Sequence, residues 1–395
     1  MKLLHTSDWH LGQNFMGKSR ESEHKAFLNW LYKTIENENI TLLIVAGDIF
    51  DTTTPPNYAL ELYYNFLTKL SHSSCQNVII TAGNHDSVST LKAPKILLKS
   101  LNINVITSGD EDEEEIVKIY EDEKLVGVVC AVPFLRDNVV RKSLSSQTLT
   151  EKEQALTLGI KEHYTTLYKE ALTLTQEQNL PIIATGHLTT VGSKTSESER
   201  EIYIGTTLNI DSSFLSEYFD YVALGHLHIN QKVGCEHVRY SGSVIPLSFS
   251  EAHSKKSVNI VTFEGKNLVV QELEIPLYRS LVVLKGDLTS VVTALEKIED
   301  KKSWIEVHLN DENPFYANQT IRERVEELEL TLLALKIDKT QTPLHSKEFD
   351  VLSLDELSPL ELFERRMKKD ELEDEELLKQ LTITFQEVLQ EVQNR

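Results

Sequence analysis

The sequence predicts an α/β fold of layered sheet and helices, on three observations. Short apolar runs recur along most of the chain, helical apolar patterns lie between several of them, and metal-ligating residue types stand directly behind five of the runs. Strands alternating with helices build such layers because each element must bury an apolar face against another. At 395 residues the chain is long enough for a large first domain with a sizeable core and one or two smaller units.

The apolar runs at 2–5, 41–46, 77–82, 125–132, 181–185 and 221–224 read as strands. Helices are predicted at 23–37, where Phe27, Leu28, Leu31 and Ile35 recur at helical spacing, and at 58–70 and 93–101. The runs 258–263 and 268–275 flank Glu264-Gly265-Lys266-Asn267 and read as an antiparallel hairpin that closes the first domain. After Pro276 the order becomes strand 281–285, helix 290–298, strand 304–309, helix 320–328 and strand 332–337, a small second α/β unit. Beyond Pro343 the pattern is loop-like and then ends in two charged helical stretches near 359–367 and 371–392. The expected domains are therefore 1–276, 277–342 and 343–395. The acid run Asp110-Glu111-Asp112-Glu113-Glu114-Glu115 reads as a solvated loop.

Composition narrows the function classes. No stretch approaches the roughly eighteen apolar residues of a membrane span, and the first residues turn polar after Leu3-Leu4, unlike a signal peptide, so a cytoplasmic protein without a membrane partner is expected. Cys75, Cys130 and Cys235 are widely separated, which argues against a disulfide framework or a cysteine zinc site. The formal charge of −21 opposes unaided binding to a phosphate backbone, because such affinity comes from Lys and Arg displacing counterions. A nucleic-acid role needs positive charge from elsewhere.

Chemistry concentrates at strand ends. Asp8 and His10 follow the first strand, Asp48 and Asp51 the second, and Asn84, His85 and Asp86 the third; Gly186-His187 and Gly225-His226-Leu227-His228 follow two later ones. In an open α/β sheet such residues converge on one rim outside the carboxyl ends of the strands. Taken singly, a histidine behind a strand is an ordinary hydrogen-bonded residue, and His5, His24, His72, His163, His237, His253, His308 and His345 take that reading. The remaining five of the 13 histidines all occupy strand-end positions beside carboxylates. Oxygen and imidazole donors without thiolate suit manganese, iron, zinc or magnesium, and this mixture favours Mn²⁺ with Mg²⁺ as the alternative. The donors number about twice what one ion needs, which points to two divalent metal ions.

The ordered set Asp8-Trp9-His10, Gly47-Asp48-Ile49-Phe50-Asp51, Gly83-Asn84-His85-Asp86, Gly186-His187 and Gly225-His226-Leu227-His228 resembles the calcineurin-like metallophosphoesterases. The opening LLHTSDWHLG, the stretch VAGDIFDTTTPP and Tyr221 to His228 followed by Tyr240-Ser241-Gly242-Ser243 are similar to the SbcD family of bacterial nuclease subunits, strongly over residues 1–275. The resemblance implies a sandwich of two β-sheets flanked by helices, with a small α/β capping domain for DNA recognition and a C-terminal helical tail. It implies that Asp8, His10, Asp48 and His228 hold one metal and Asp48, Asn84, His187 and His226 the other, Asp48 bridging. His85 would contact the scissile phosphate and act as general acid, and Asp86 would orient its imidazole.

The implied activity is a Mn²⁺-dependent DNA nuclease, a double-strand 3′-5′ exonuclease and single-strand or hairpin endonuclease for end processing, repair and recombination. The implied partners are DNA, a second copy of the chain, and the ATPase SbcC in a heterotetramer. One departure stands out: phosphoprotein phosphatases of the superfamily continue Asp-Arg-Gly where this chain has Asp51-Thr52-Thr53, so a phosphate-gripping arginine is missing and no role transfers to Asp51. The alternatives are a phosphodiesterase or phosphatase for a small molecule or phosphoprotein, which needs neither the second unit nor the tail, and a scaffold that has lost the site.

Three further expectations follow. The stretch Lys194 to Arg200 reads as a loop near the rim, with a plain surface loop as the alternative. Tyr63, Phe66, Leu67 and Leu70 in 58–70, with Ile96, Leu97 and Leu101 in 93–101, offer an apolar face for a helical bundle in a homodimer, with packing against the protein's own sheet as the alternative. In the tail, Leu360, Phe363 and Met367, then Leu377, Leu378, Leu381, Phe385, Val388, Leu389 and Val392, form stripes suited to docking on the partner, with folding back on the second unit as the alternative.

Overall fold

Alternate residues of Lys2–Thr6 (β1) enter different cores, Leu3 on one side and Leu4 on the other, because successive side chains of a strand point to opposite faces. A short hairpin, Asn14–Phe15 (β2) and Lys18–Ser19 (β3), leads to Glu21–Asn37 (α1), Leu42–Ala46 (β4), Asn57–Leu70 (α2) and Asn77–Thr81 (β5). Val88–Lys92 (α3), Lys95–Lys99 (α4), Ile103–Ile106 (β6), Ile116–Glu121 (β7) and Lys124–Cys130 (β8) follow. Then come Asp137–Val140 (α5), Leu149–Thr175 (α6), Ile182–His187 (β9), Ser213–Tyr218 (α7), Tyr221–Gly225 (β10), Gln231–Val233 (β11) and Cys235–Tyr240 (β12), closed by the hairpin Ser257–Glu264 (β13) and Asn267–Glu274 (β14). The structure is a computed structural model that describes residues 1–110, 113–140, 149–175, 178–196, 198–199, 210–311, 313–337, 363 and 380–386.

The strands form two six-stranded sheets, ordered β14-β13-β1-β4-β5-β6 and β11-β12-β10-β9-β8-β7. Within the first, β1, β4, β5 and β6 run parallel; within the second, β8, β9, β10 and β12 do. Leu3, Ile44, Ala46 and Ile79 of one sheet share a core with Val129, Ile183, Tyr221 and Ala223 of the other. Leu4, Leu43 and Val45 pack outward with Phe27, Leu31, Phe66 and Leu67 of α1 and α2, while Val128, Ile182, Ala184 and Leu224 pack with Ile160, Tyr164 and Leu215 of α6 and α7. Two sheets flanked by helices are thus the expected fold class. Burying each such side chain contributes about 1.5–3 kcal/mol, so the three cores dominate stability.

The second unit has the predicted order: Leu281–Gly286 (β15), Leu288–Leu295 (α8), Trp304–Leu309 (β16), Pro314–Glu327 (α9) and Thr331–Ile337 (β17). Its parallel sheet, ordered β15-β16-β17, buries Ile305, Val307 and Leu309 with Val291, Leu295, Ile321 and Val325 of the helices. The chain divides into one compact unit of Met1–Leu247 with Ser254–Tyr278 and another of Ser248–His253 with the chain from Arg279 onward.

Several expectations need correction. Tyr63, Phe66, Leu67 and Leu70 are buried in the protein's own core, so these four residues are not free for a dimer face, while Tyr58, Leu60, Leu62 and Tyr64 of α2 stay partly exposed. The predicted helix 93–101 is the shorter α4, and a separate short helix, α3, ends just before it, where Pro94 supplies no N–H to continue α3. Ile96, Leu97 and Leu101 there are exposed, as expected of an apolar surface, and Leu98 packs inward. The strands β6 and β7 and the helix α6 lie outside the predicted elements; β7 adjoins the acid run, and Lys118 and Glu121 break the apolar pattern of this half-buried strand. The tail stretches 359–367 and 371–392 lie outside the described residues apart from Phe363 and 380–386, where the rings of Phe363 and Phe385 stack with centroids 4.2 Å apart.

Candidate metal centre

The loops behind β1 and β4 run side by side. Asp8 N donates to the Gly47 carbonyl at 3.0 Å, His10 N to that of Asp48 at 3.0 Å, and Leu11 N to that of Ile49 at 2.9 Å. Asp8, His10, Asp48 and His226 have φ of 50°, 45°, 49° and 94°, in the left-handed region that costs a non-glycine residue about 1–3 kcal/mol. The surrounding contacts over-determine these conformations. At Gly83 a Cβ would lie 2.1 Å from Asp48 Oδ1, and at Gly47 one would lie 2.1 Å from His187 Nδ1, so the glycine positions let one turn approach the next.

Three clusters of donors result among the described residues, one of them His10, Asp51 and His85. Asp8, His10 and His228 offer atoms all within 4.8 Å of one another, and so do Asp48, His187 and His226. Asp48 Oδ2 stands 3.2 Å from His187 Nε2 and 3.7 Å from His10 Nε2, one nitrogen from each group. Asn84 Oδ1 lies 2.9 Å from His187 Nε2, which places the amide with the second group. The predicted ligands from all five strand ends are therefore together. His10 Nε2 is buried without a hydrogen-bond partner, a costly state for a polar atom unless a cation takes it. With imidazole, carboxylate and amide oxygen as donors, the residues fit divalent metal ions.

Electrostatics agree. Burial pushes the Asp48 carboxyl upward, but His187, His85 and His10 outweigh it and hold the group well below the usual carboxylate range. Burial raises Asp8 against the pull of His187 and His228. Burial lowers His226 well below an ordinary imidazole, helped by the charge of His187. His10 and His187 go the other way: burial opposes their charge, yet Asp51 and Asp48 carry His10 to about 9, and Asp48 and Asp8 carry His187 to about 9. Without metal, these two imidazolium groups neutralise the carboxylates, so cations and protons compete for the same atoms.

His85 lies beside the first group, its ring centroid 4.8 Å from that of His10. Its backbone N–H donates to Asp48 Oδ1 at 2.9 Å, and its Nδ1 lies 2.7 Å from the Asp51 carbonyl oxygen. That carbonyl takes the orienting position expected of Asp86. Asp86 instead accepts the backbone N–H groups of Ile49, Phe50 and Gly83 at 3.1, 2.9 and 2.8 Å, clamping the turns behind β4 and β5 together. Fully buried and near Asp48, its carboxyl is pushed up to about 6. Asp51 gains a role as well, its Oδ1 lying 3.1 Å from His10 Nδ1.

The structure also adds residues. Ser198 Oγ lies 2.6 Å from His228 Nδ1, and Glu199 accepts the His228 backbone N–H at 2.7 Å, so part of the 194–200 stretch reaches the site; positions 197 and 200 lie outside the described residues. Arg136 Nη2 donates to the Asp86 carbonyl at 3.2 Å. Its signal was available: 125–132 is an apolar run with no ligand behind it, and Phe134-Leu135-Arg136 stands in that place.

Residues 1–230 match the family described as Calcineurin-like phosphoesterase. The D subunit of nuclease SbcCD from Escherichia coli (strain K12) is 41% identical over 386 residues, covering 95% of this chain and 94% of that protein. The chain belongs to the calcineurin-like phosphoesterases, in the SbcD family. Another member of that family, the D subunit of nuclease SbcCD from Bacillus subtilis (strain 168), is 33% identical over 318 residues, 78% of this chain and 79% of the relative. Residues 277–371 match the family described as Type 5 capsule protein repressor C-terminal domain. A solved dimetal phosphatase from Danio rerio aligns over 69% of this chain and 98% of its own at 12% identity and a TM-score of 0.41. As a calcineurin-like phosphoesterase, the chain is expected to carry divalent metal ions. No helix among the described residues is long and apolar enough to cross a membrane.

Proposed function

We propose that this chain is the nuclease subunit of an SbcCD-type complex, hydrolysing DNA phosphodiesters with two divalent ions, Mn²⁺ in preference to Mg²⁺. The observation that carries the reading is the position of Asp48 Oδ2 between His187 Nε2 and His10 Nε2, where one carboxylate serves both donor groups. Asp8, His10 and His228 with Asp48 would hold one ion, and Asn84, His187 and His226 with Asp48 the other. Bound divalent ions supply positive charge to phosphoryl oxygens and lower the pKa of an attacking water. His85 supplies the proton for the leaving oxygen; the Asp51 carbonyl holds Nδ1, so the transferred proton is carried at Nε2. Asp86 shapes the turn that presents Asn84 and His85.

The relatives' name pairs such a chain with SbcC, and the charge of −21 supports a partner that carries the DNA track. In this reading two copies of the chain join SbcC in the cytoplasm, the second unit helps recognise DNA, and the tail docks on SbcC. Exonuclease action on duplex ends and endonuclease action on single strands and hairpins follow from the same site.

The test is incubation of the purified chain, with and without SbcC and ATP, with Mn²⁺ and end-labelled duplex or hairpin DNA beside a chromogenic phosphodiester. Cleavage of DNA, stimulated on duplex by SbcC, is expected. Hydrolysis of the chromogenic compound with intact DNA in every arm would overturn the nuclease reading in favour of a small-molecule phosphodiesterase.

A further inference from the structure

The stretch Tyr240-Ser241-Gly242-Ser243 holds none of the donors, yet its residues touch the surroundings of three of them. The Tyr240 hydroxyl, fully buried, donates to the carbonyl of Leu188, the residue after His187, at 2.7 Å. Ser241 Oγ lies 2.7 Å from Ser7 Oγ, and the Ser7 hydroxyl donates to Asp8 Oδ2. Ser243 N donates to the His228 carbonyl at 3.2 Å. The buried Lys256 ammonium donates to the same carbonyl at 2.9 Å and to Ser243 Oγ at 2.8 Å. A Cβ at Gly242 would lie 2.9 Å from the His228 carbonyl oxygen and 2.7 Å from Asn230 N, so the backbone itself is pressed against the turn that carries His228.

The Ser241–Ser7–Asp8 chain has a defined direction. A hydroxyl has one proton; with that of Ser7 given to Asp8, the Ser241 hydroxyl is the donor to Ser7. The other Asp8 oxygen, Oδ1, accepts the His226 backbone N–H at 2.9 Å. Both oxygens are thus oriented, and Ser7, Asp8 and Ser241 are all essentially without solvent contact, so water cannot replace a lost partner at no cost. Ser7 directly follows β1 in one sheet and Ser241 follows β12 in the other, so the link crosses between the two sheets.

We infer that Ser241 and Ser7 are positioning residues that set the affinity of the Asp8-His10-His228 group for a divalent ion, and that residues 240–243 align the strand ends of the second sheet with those of the first. The inference rests on the two-ion reading above. Outer partners of metal-ligating carboxylates change affinity by about 10–100-fold when removed.

The experiment is calorimetric titration of the full, chelator-stripped chain with Mn²⁺, for the native protein and for Ser7→Ala, Ser241→Ala, the double variant and Ser241→Thr. Thermal unfolding of each metal-free protein is measured alongside. Native protein should take up two ions. Ser7→Ala and Ser241→Ala should weaken one of them about 10-fold or more and leave the other within about twofold. The double variant should match Ser7→Ala, since both substitutions break one chain, and Ser241→Thr, which keeps the hydroxyl, should restore affinity. Two ions bound with unchanged affinities in the alanine variants would overturn this inference alone. Equal weakening of both ions with a lowered metal-free melting temperature, unrescued by Ser241→Thr, would also overturn it, as a purely structural effect. Native protein that binds no Mn²⁺ would bring down the two-ion reading and this inference with it.

Discussion

Asp48 Oδ2 lies 3.2 Å from His187 Nε2, while the other oxygen of the same carboxylate accepts the His85 backbone N–H at 2.9 Å. A single side chain therefore ties one donor group to the turn that presents the proposed acid. Asp48→Ala should weaken Mn²⁺ uptake at both positions, by at least the roughly 10–100-fold that loss of an outer-shell partner costs, and abolish hydrolysis. Elemental analysis of the variant after dialysis checks this. Full occupancy would show that Asp48 is not shared.

His85→Ala separates chemistry from binding. The variant should retain both ions and lose about 10²- to 10⁴-fold in turnover, the usual contribution of a positioned acid. Mn²⁺ titration and single-turnover cleavage decide the matter. Loss of an ion would place His85 among the ligands.

Two histidines away from the donor groups predict acid sensitivity. His5 is fully buried between Tyr221 OH at 3.0 Å and the Leu224 carbonyl at 3.2 Å, and burial lowers it to about 3. His24 is buried with both ring nitrogens unpartnered and is lowered by burial, with help from Arg20, to about 3. Below pH 6.5 the unfolded chain protonates these groups and the folded chain does not. Their stabilising contribution is thus present above about pH 6.5 and lost as pH falls toward 3, at roughly 1.4 kcal/mol per pH unit for each. Urea unfolding of metal-free protein at pH 7 and pH 5 should show the decline, and His24→Leu should make it shallower. An unchanged slope in His24→Leu would assign the acid sensitivity to other groups.

Phe66 of α2 tests whether the buried stripe of that helix serves the core. It lies in the core shared with Leu4, Leu43 and Trp9, its ring centroid 5.5 Å from that of Trp9. Phe66→Ala should cost about 3–5 kcal/mol of folding stability and leave the oligomeric state unchanged. Urea unfolding and light scattering report the two quantities. A shift in mass with stability preserved would instead place Phe66 at an interface between copies of the chain.

Much of the fold can be read in the chain because its signals are local. An apolar run such as Leu42-Leu43-Ile44-Val45-Ala46 reads as a buried strand wherever it lies, and a ligand behind it must stand at the rim of a parallel sheet. That reasoning brings Asp8, His10, Asp48, Asn84, His187, His226 and His228 to one place from the chain alone, and the resemblance supplies their division between two ions. Helix α2 shows the limit. The same apolar stripe, Tyr63, Phe66, Leu67 and Leu70, suits an interface or the protein's own sheet equally well, and only packing decides which surface covers it.

The roles of Asp86, Asp51, Ser7 and Ser241 were decided by tertiary structure for a related reason. Sequence by itself determined which groups could ligate and roughly where each strand would deliver them, since both depend on residue type and local periodicity. Which oxygen faces which N–H depends instead on turns from different strands meeting within about 3 Å. Asp86 is adjacent to His85 in the chain, yet it bonds Ile49 and Phe50, because the left-handed turns at Asp48 and the close approach at Gly83 bring those amides to it. Ser241 reaches Ser7 across 234 positions for the same physical reason: two sheets packed face to face set their strand ends within hydrogen-bond range, a distance no local pattern encodes.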